Sequence, residues 1–210
     1  MEYSDYSDVL DSNLMNNTTK LQLLAMKNDV KQDDIKELIK RGADIHWNED
    51  APLREAARCS QETVMTLLEH GADIHARDDY ALRSAAKAGN TETVKTLLEH
   101  GADIHAQHGE ALTLAAKYGH TEIVKTLLDK GANIHDQFDW PLKAAARNNK
   151  QDVVNLLVID YNMPISQDTM DYLKQMNLQE TIDTINKRDL NIKLNSNLKQ
   201  KKEKSFTMKI

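Results

Sequence analysis

Residues 71–100 read G-A-D-I-H-A-R-D-D-Y-A-L-R-S-A-A-K-A-G-N-T-E-T-V-K-T-L-L-E-H, and residues 101–130 repeat them without a gap at 19 of 30 positions. The pentapeptide G-A-D-I-H starts at Gly42, Gly71 and Gly101 and returns as G-A-N-I-H at Gly131, in steps of 29, 30 and 30 residues. Self-similarity at such a period marks a repeat architecture. Within each copy an L-x-x-A-A run precedes a short polar turn, a V-x-x-L-L run and a glycine. Leu82, Ala85 and Ala86 share one helical stripe, and Val94, Leu97 and Leu98 share a second. Equivalent sets recur at Leu53, Ala56, Ala57 with Val64, Leu67, Leu68, at Leu112, Ala115, Ala116 with Val124, Leu127, Leu128, and at Leu142, Ala145, Ala146 with Val154, Leu157, Val158. Each copy is therefore predicted to be a helix pair with one apolar seam, which stacking on neighbours buries. In the turn, Asn or Thr is expected to cap the second helix.

Composition agrees. The 210 residues are 40% hydrophobic but only 5% aromatic, which suits Ala/Leu/Val packing rather than a β-sandwich. The net charge of −6 argues against general nucleic-acid affinity. Cys59 is the only cysteine, so neither an internal disulfide nor a thiolate metal cluster can form. No leader-like or membrane-spanning stretch stands out, and the expected setting is intracellular, cytoplasmic or nuclear.

The stretch at 115–135, A-A-K-Y-G-H-T-E-I-V-K-T-L-L-D-K-G-A-N-I-H, resembles an ankyrin repeat, whose pattern runs T-P-L-H-x-A-A-x-x-G-H-x-E-V-V-x-x-L-L-x-x-G-A-D-x-N. The I-H ending and short loop are similar to ankyrin proteins of amoeba-infecting giant DNA viruses, which would place the chain in a host cell. The resemblance implies an all-α ankyrin-repeat solenoid of stacked helix-turn-helix units. A unit of about 33 residues is usual; this one is shorter in the loop, so the projecting β-hairpin is expected to be short. T-P-L-H becomes A-P-L-R at Ala51, Y-A-L-R at Tyr80, E-A-L-T at Glu110 and W-P-L-K at Trp140, which removes the usual Thr/His support of that loop.

The organisation expected is an acidic flexible N-terminus at 1–17, five repeats at about 18–46, 47–75, 76–105, 106–135 and 136–165, a helical cap at 166–187, and a basic flexible tail at 188–210. Tyr161 stands where a terminal glycine is expected, and Met170, Leu173, Met176, Leu178, Ile182 and Ile185 suggest the closing helix pair.

No catalytic motif is present, so no enzyme activity and no cofactor are expected. The ladder His46, His75, His105 and His135 cannot converge on one metal ion, because packed helices lie about 8–10 Å apart and zinc ligands about 2.1 Å from the metal. Structural hydrogen bonding is expected of it instead.

The two best-matched copies differ mainly at 77–80, 83, 84, 88 and 90, the loop and first helix. In ankyrin proteins partners usually touch this loop and the concave face. The resemblance thus implies a protein-binding surface, here Trp47, Asp79, Tyr80, Arg83, His108, Glu110, Lys117, Tyr118, Phe138, Trp140 and Arg147. Large aromatics suit interface anchors. The equivalent cations Arg58, Lys87, Lys117 and Arg147 form a basic ladder that suits an acidic partner. The expected partner is another protein, with no small-molecule substrate, nucleic acid or membrane, bound by a monomer. An adaptor that hands a captured host protein to a second machine, such as a ubiquitin ligase, through the tail is the alternative.

Overall fold

The computed structural model describes residues 16–207, and among these there are helices and turns but no β-strand. The acidic stretch expected at 1–17 lies outside the described residues, apart from Asn16 and Asn17. The chain divides after Asn133 into two compact bodies.

The first body is four helix pairs: α1 (Asn17–Ala25) with α2 (Gln32–Lys40), α3 (Trp47–Ala56) with α4 (Gln61–Glu69), α5 (Ala76–Ala88) with α6 (Thr91–Glu99), and α7 (Ala106–Tyr118) with α8 (Thr121–Asp129). First helices pack on first helices, α1 on α3 on α5 on α7, and second helices on second, α2 on α4 on α6 on α8. The predicted seam is buried: Leu53, Ala56, Ala57, Leu67, Leu97, Leu112, Ala115, Ala116 and Leu127 are sealed from solvent. The stripe on the second helices is turned by one residue from the expected one. Thr63, Val64 and Leu67 are buried, as are Thr93, Val94 and Leu97, whereas Leu68, Leu98 and Leu128 stay half-exposed. The buried threonines are partnered across pairs: Thr66 Oγ1 donates to Gln32 at 3.0 Å, and Gln61 Nε2 donates to Thr96 Oγ1 at 2.9 Å.

Helix ends follow local chemistry. Ser60 accepts from the Thr63 N–H and caps α4. Asn90 does not cap α6, contrary to expectation; its Nδ2 reaches back to the Ala57 carbonyl at 3.1 Å. His120 does the same with Nε2 to the Lys87 carbonyl at 3.1 Å, its ring lying so close to Gly89 that a Cβ there would meet it at 2.7 Å. These side chains serve the stack rather than their own helix.

The second body holds α9 (Asp136–Arg147), α10 (Gln151–Asn155) continued by a π-helical turn Leu156–Asp160, α11 (Gln167–Gln175) and α12 (Gln179–Thr207). The sequence places the terminal glycine's substitute at Tyr161, but the left-handed residue is Asn162, at φ +46°. The π turn absorbs that one-residue slip. Met163 N–H therefore reaches back six residues to the Leu157 carbonyl, where Ala132 N–H reaches five, to Leu127. Arg188 donates to the carbonyls of Met163 and Val158 and so satisfies groups the wider turn frees.

α11 and α12 form a sixth pair of the same type. Leu173 and Ile185 are sealed in the core, α11 packs on α9, and Gln151 Nε2 bonds Thr184 Oγ1 at 3.1 Å as Gln61 bonds Thr96 in the first body. Met176, expected in the closing core, is exposed. Where a flexible tail is expected from 188, α12 continues without interruption through Thr207.

Candidate functional site

The loop after each G-A-D-I-H or G-A-N-I-H pentapeptide is left-handed, with a glycine in only one of the four copies. Asn48, Glu49 and Asp50, then Arg77, Asp78 and Asp79, then Gln107, His108 and Gly109, and in the second body Gln137, Phe138 and Asp139, all take φ between +49° and +69°. Each loop is one left-handed turn in place of the expected short hairpin. A non-glycine residue there costs about 1–2 kcal/mol, so the turn needs support.

Support comes from two sides. From within, Arg54 donates to the carbonyls of Glu49 and Asn48 at 3.0 and 2.8 Å, Arg83 to those of Asp78 and Arg77 at 3.3 and 2.7 Å, and Lys143 to that of Phe138 at 2.7 Å. Each charge-assisted bond returns about 1.5–3 kcal/mol. From the other side, the buried carboxylate that ends the turn is a junction. Asp50 accepts from His46 Nδ1 at 3.1 Å and from the Asp73 N–H at 2.8 Å; Asp79 accepts from His75 Nδ1 at 3.1 Å and from the Asp103 N–H at 2.8 Å. An ionised carboxylate only accepts, so Nδ1 carries the proton. His46, His75 and, in the second body, His135 are thus spent on the carboxylate of their own loop rather than on a neighbouring loop's backbone, whereas His105 meets Gly109 and makes no such bond. In the second body His135 Nδ1 bonds Asp139 at 2.6 Å, and Asp139 accepts from Thr169 Oγ1 at 2.5 Å. The fourth copy lacks both devices: Gly109 replaces the aspartate and Thr113 the cation, and Thr113 Oγ1 is buried with no hydrogen-bond partner among the described residues.

Neighbouring tips in the first body are laced together: Arg77 to Glu49, Gln107 Nε2 to Asp78 at 2.6 Å, and Arg83 to Glu110 at 2.5 Å. The rigidity that loss of the Thr/His pair puts in question is thereby supplied by other groups.

The predicted contact residues fall into distinct sets. Trp47 and Tyr80 stand exposed on the tips of the first body, Tyr80 between the Arg54 and Arg83 guanidinium groups at 5.4 and 5.0 Å. His108 is exposed and Glu110 partly so. Asp79 is the exception: at 4% exposure it is a buried loop support, not a contact. Arg83 is likewise largely occupied by carbonyls and Glu110. Lys117 and Tyr118 lie at the other end of α7 from its tip, so they do not join that set. In the second body Phe138 is 88% exposed on its tip, beside a cleft of about 480 Å³ whose walls include Lys143, Pro164, Ile165 and Thr169. Trp140 is half-buried, edge-on to Tyr172 at 6.2 Å, and Arg147 is exposed at the far end of α9.

Cys59 carries no nucleophilic geometry. Burial pushes its thiol above the ordinary value, outweighing the lowering by Arg58, and Sγ donates to the Met26 carbonyl at 3.3 Å. No group of three or more His, Cys, Asp or Glu side chains arranged to hold a metal ion occurs among the described residues, and no described helix is long and apolar enough to cross a membrane.

Family models describing ankyrin repeats match residues 82–169, as three copies, and residues 48–79. No curated protein matches the chain, and the likeness to giant-virus proteins rests on the sequence pattern alone.

Proposed function

Because the chain belongs to the ankyrin-repeat family, whose members are generally non-enzymatic protein-interaction modules, we propose that it captures another protein on its left-handed tips and first helices. One observation carries this reading: the tips hold aromatic side chains out into solvent, Phe138 above all, on backbone that is gripped from both sides. A preformed surface has little ordering cost to meet on binding. Exposed aromatics on such a surface are the usual anchors.

The test is Phe138→Ala, with Trp47→Ala as a second variant, in quantitative affinity capture from host-cell lysate. At least one protein should be depleted tenfold or more by one of these changes while helical circular dichroism stays as in the wild type. Identical capture by all three forms overturns the tip assignment.

The adaptor reading is favoured by one feature, the exposed extension of α12, on which Leu190, Leu194 and Leu198 form a stripe at helical spacing. Under it, removing 190–210 spares capture and abolishes delivery to the second machine.

A further inference from the structure

We propose that the edge of the first body opposite the tips is a second docking surface, which takes an extended acidic segment of another protein. Acids at every third residue of that segment meet Arg58, Lys87 and Lys117, and an apolar side chain beside the first acid enters a cleft walled by Met26, Cys59 and Ala88. The edge lies at the turns joining first to second helices, so the proposal is independent of the tip reading.

Cys59 Sγ reaches the Met26 carbonyl, Asn90 Nδ2 the Ala57 carbonyl and His120 Nε2 the Lys87 carbonyl, so each turn is tied to the one before it and the four form one continuous edge. The cations on this edge differ from those at the tips. Arg54 and Arg83 are occupied by carbonyls and Arg77 by Glu49. Lys87 and Lys117, by contrast, are exposed and have no carboxylate within ion-pair distance among the described residues, and Arg58 has only Glu55 at 3.5 Å with its own side chain 54% exposed. What the two lysines share is an aromatic ring: their Nζ atoms lie 5.9 and 5.6 Å from the centroid of Tyr118, which is 40% exposed and stacked on His120. A cation at a helix C-terminus is favoured by the backbone dipole alone. That accounts for neither the open aromatic between two of them nor the lack of acids.

The stack does not demand a ring at this place, because the two preceding copies hold Cys59 and Ala88 there. Beside these small residues lies a cleft of about 720 Å³ at the first three turns, whose walls also include Met26, Lys27, Glu55 and Arg58. Apolar walls with a few charges at the rim suit an anchoring side chain. The edge also has an acidic row, Glu62, Glu92 and Glu122, in the first turn of the second helices, where the backbone dipole favours negative charge. Glu92 holds Lys95 at 2.9 Å, and Glu62 accepts from Ser60 Oγ at 3.1 Å. The first-helix side of the edge is therefore basic and its second-helix side acidic.

That division selects the occupant. A nucleic-acid strand, charged at every residue, brings unmatched phosphates against the acidic row, and like charges so placed are costly. A peptide carries its charges where its sequence puts them. Packed helices are spaced at about 8–10 Å. A polyproline-II chain has three residues per turn and rises about 3.1 Å per residue, so every third side chain falls on one face at intervals of about 9 Å. Acid and base therefore step together along the turns. Exposed ion pairs are weak singly, so selectivity rests on their register and on the side chain in the cleft.

The experiment uses the full chain and a fluorescent synthetic peptide, L-E-P-S-E-P-S-E, followed by anisotropy in low and high salt. Saturable binding with a Kd below about 1 mM is expected in low salt, weakening several-fold in high salt. Lys87→Gln with Lys117→Gln should weaken it at least tenfold with helical circular dichroism unchanged, and Phe138→Ala should leave it as in the wild type. A peptide of the same composition with its acids bunched, and one with Ser in place of the leading Leu, should each bind several-fold more weakly. Absence of saturable binding, or equal binding by the lysine variant, overturns the proposal, and loss with Phe138→Ala moves the peptide to the tips. Equal binding of the bunched peptide overturns the matched register, and equal binding of the peptide without Leu overturns the role of the cleft. If single-stranded oligouridine of the same charge binds more tightly than the peptide and is lost in the lysine variant, the edge is a nucleic-acid surface and the acidic-peptide assignment is overturned.

Discussion

Asp79 shows how much one side chain can hold. Its carboxylate is buried, accepts from His75 and from the Asp103 N–H, and closes a turn of three strained residues. Asp79→Ala removes both acceptors and leaves a backbone donor unpaired, a loss of about 1–3 kcal/mol. Thr113 is the converse case, a buried hydroxyl without a partner among the described residues. Thr113→Val keeps the shape and discards the unmet polar group, so it should be neutral or stabilising. Urea unfolding of the two variants checks the contrast, and a destabilised Thr113→Val would mean that the hydroxyl is in use. The sequence put Asp79 on the binding surface because position 79 differs between internal copies. The difference has another cause. Gly109, free to adopt positive φ, and Thr113 changed together where the others keep an acid and a cation.

At the scale of elements, periodicity placed every helix pair of the repeats, because the 3.6-residue stripe is a property of the sequence itself. It missed three things that depend on neighbours. The buried stripe of α4 and α6 is turned by one residue, where Thr66 and Thr96 find partners on adjacent pairs. The left-handed loops were hidden because no glycine marks them except at 109. The π turn was hidden because nothing local in L-L-V-I-D announces it; its signal is Arg188, 30 residues beyond Val158. Removing that guanidinium with Arg188→Met should cost about 1–3 kcal/mol by leaving carbonyls unmet. An unchanged thermal midpoint for this variant would show that the π turn needs no such clamp.

On the scale of the whole molecule, stability within each body is a sum of helix pairs and their nearest-neighbour contacts, since the main packing of each pair is on its neighbours. Leu97 of α6, sealed from solvent, should cost about 2–5 kcal/mol on truncation to Ala. Native-state hydrogen exchange should then quicken in α5 to α8 and much less in α1 and α2. Uniform acceleration across the first body would contradict a nearest-neighbour sum. The fold class was legible because repetition multiplies a weak signal by the number of copies. The candidate surface was legible only in part: exposure of Trp47, Tyr80 and Phe138 follows the loop, while the occupation of Asp79 and Arg83 depends on backbone the sequence does not display.

The left-handed tips carry one more consequence. At Asn48, Arg77, Gln107 and Gln137 the backbone sits near φ +50°, ψ +45°, the mirror image of the ordinary helical basin. A D-amino acid at any of these four places would rest in its own preferred conformation, and the chain's strain there would vanish with the change of hand. The tips are thus small patches of opposite chirality set into an L-polypeptide, and a partner that fits them meets a surface no right-handed helix can imitate.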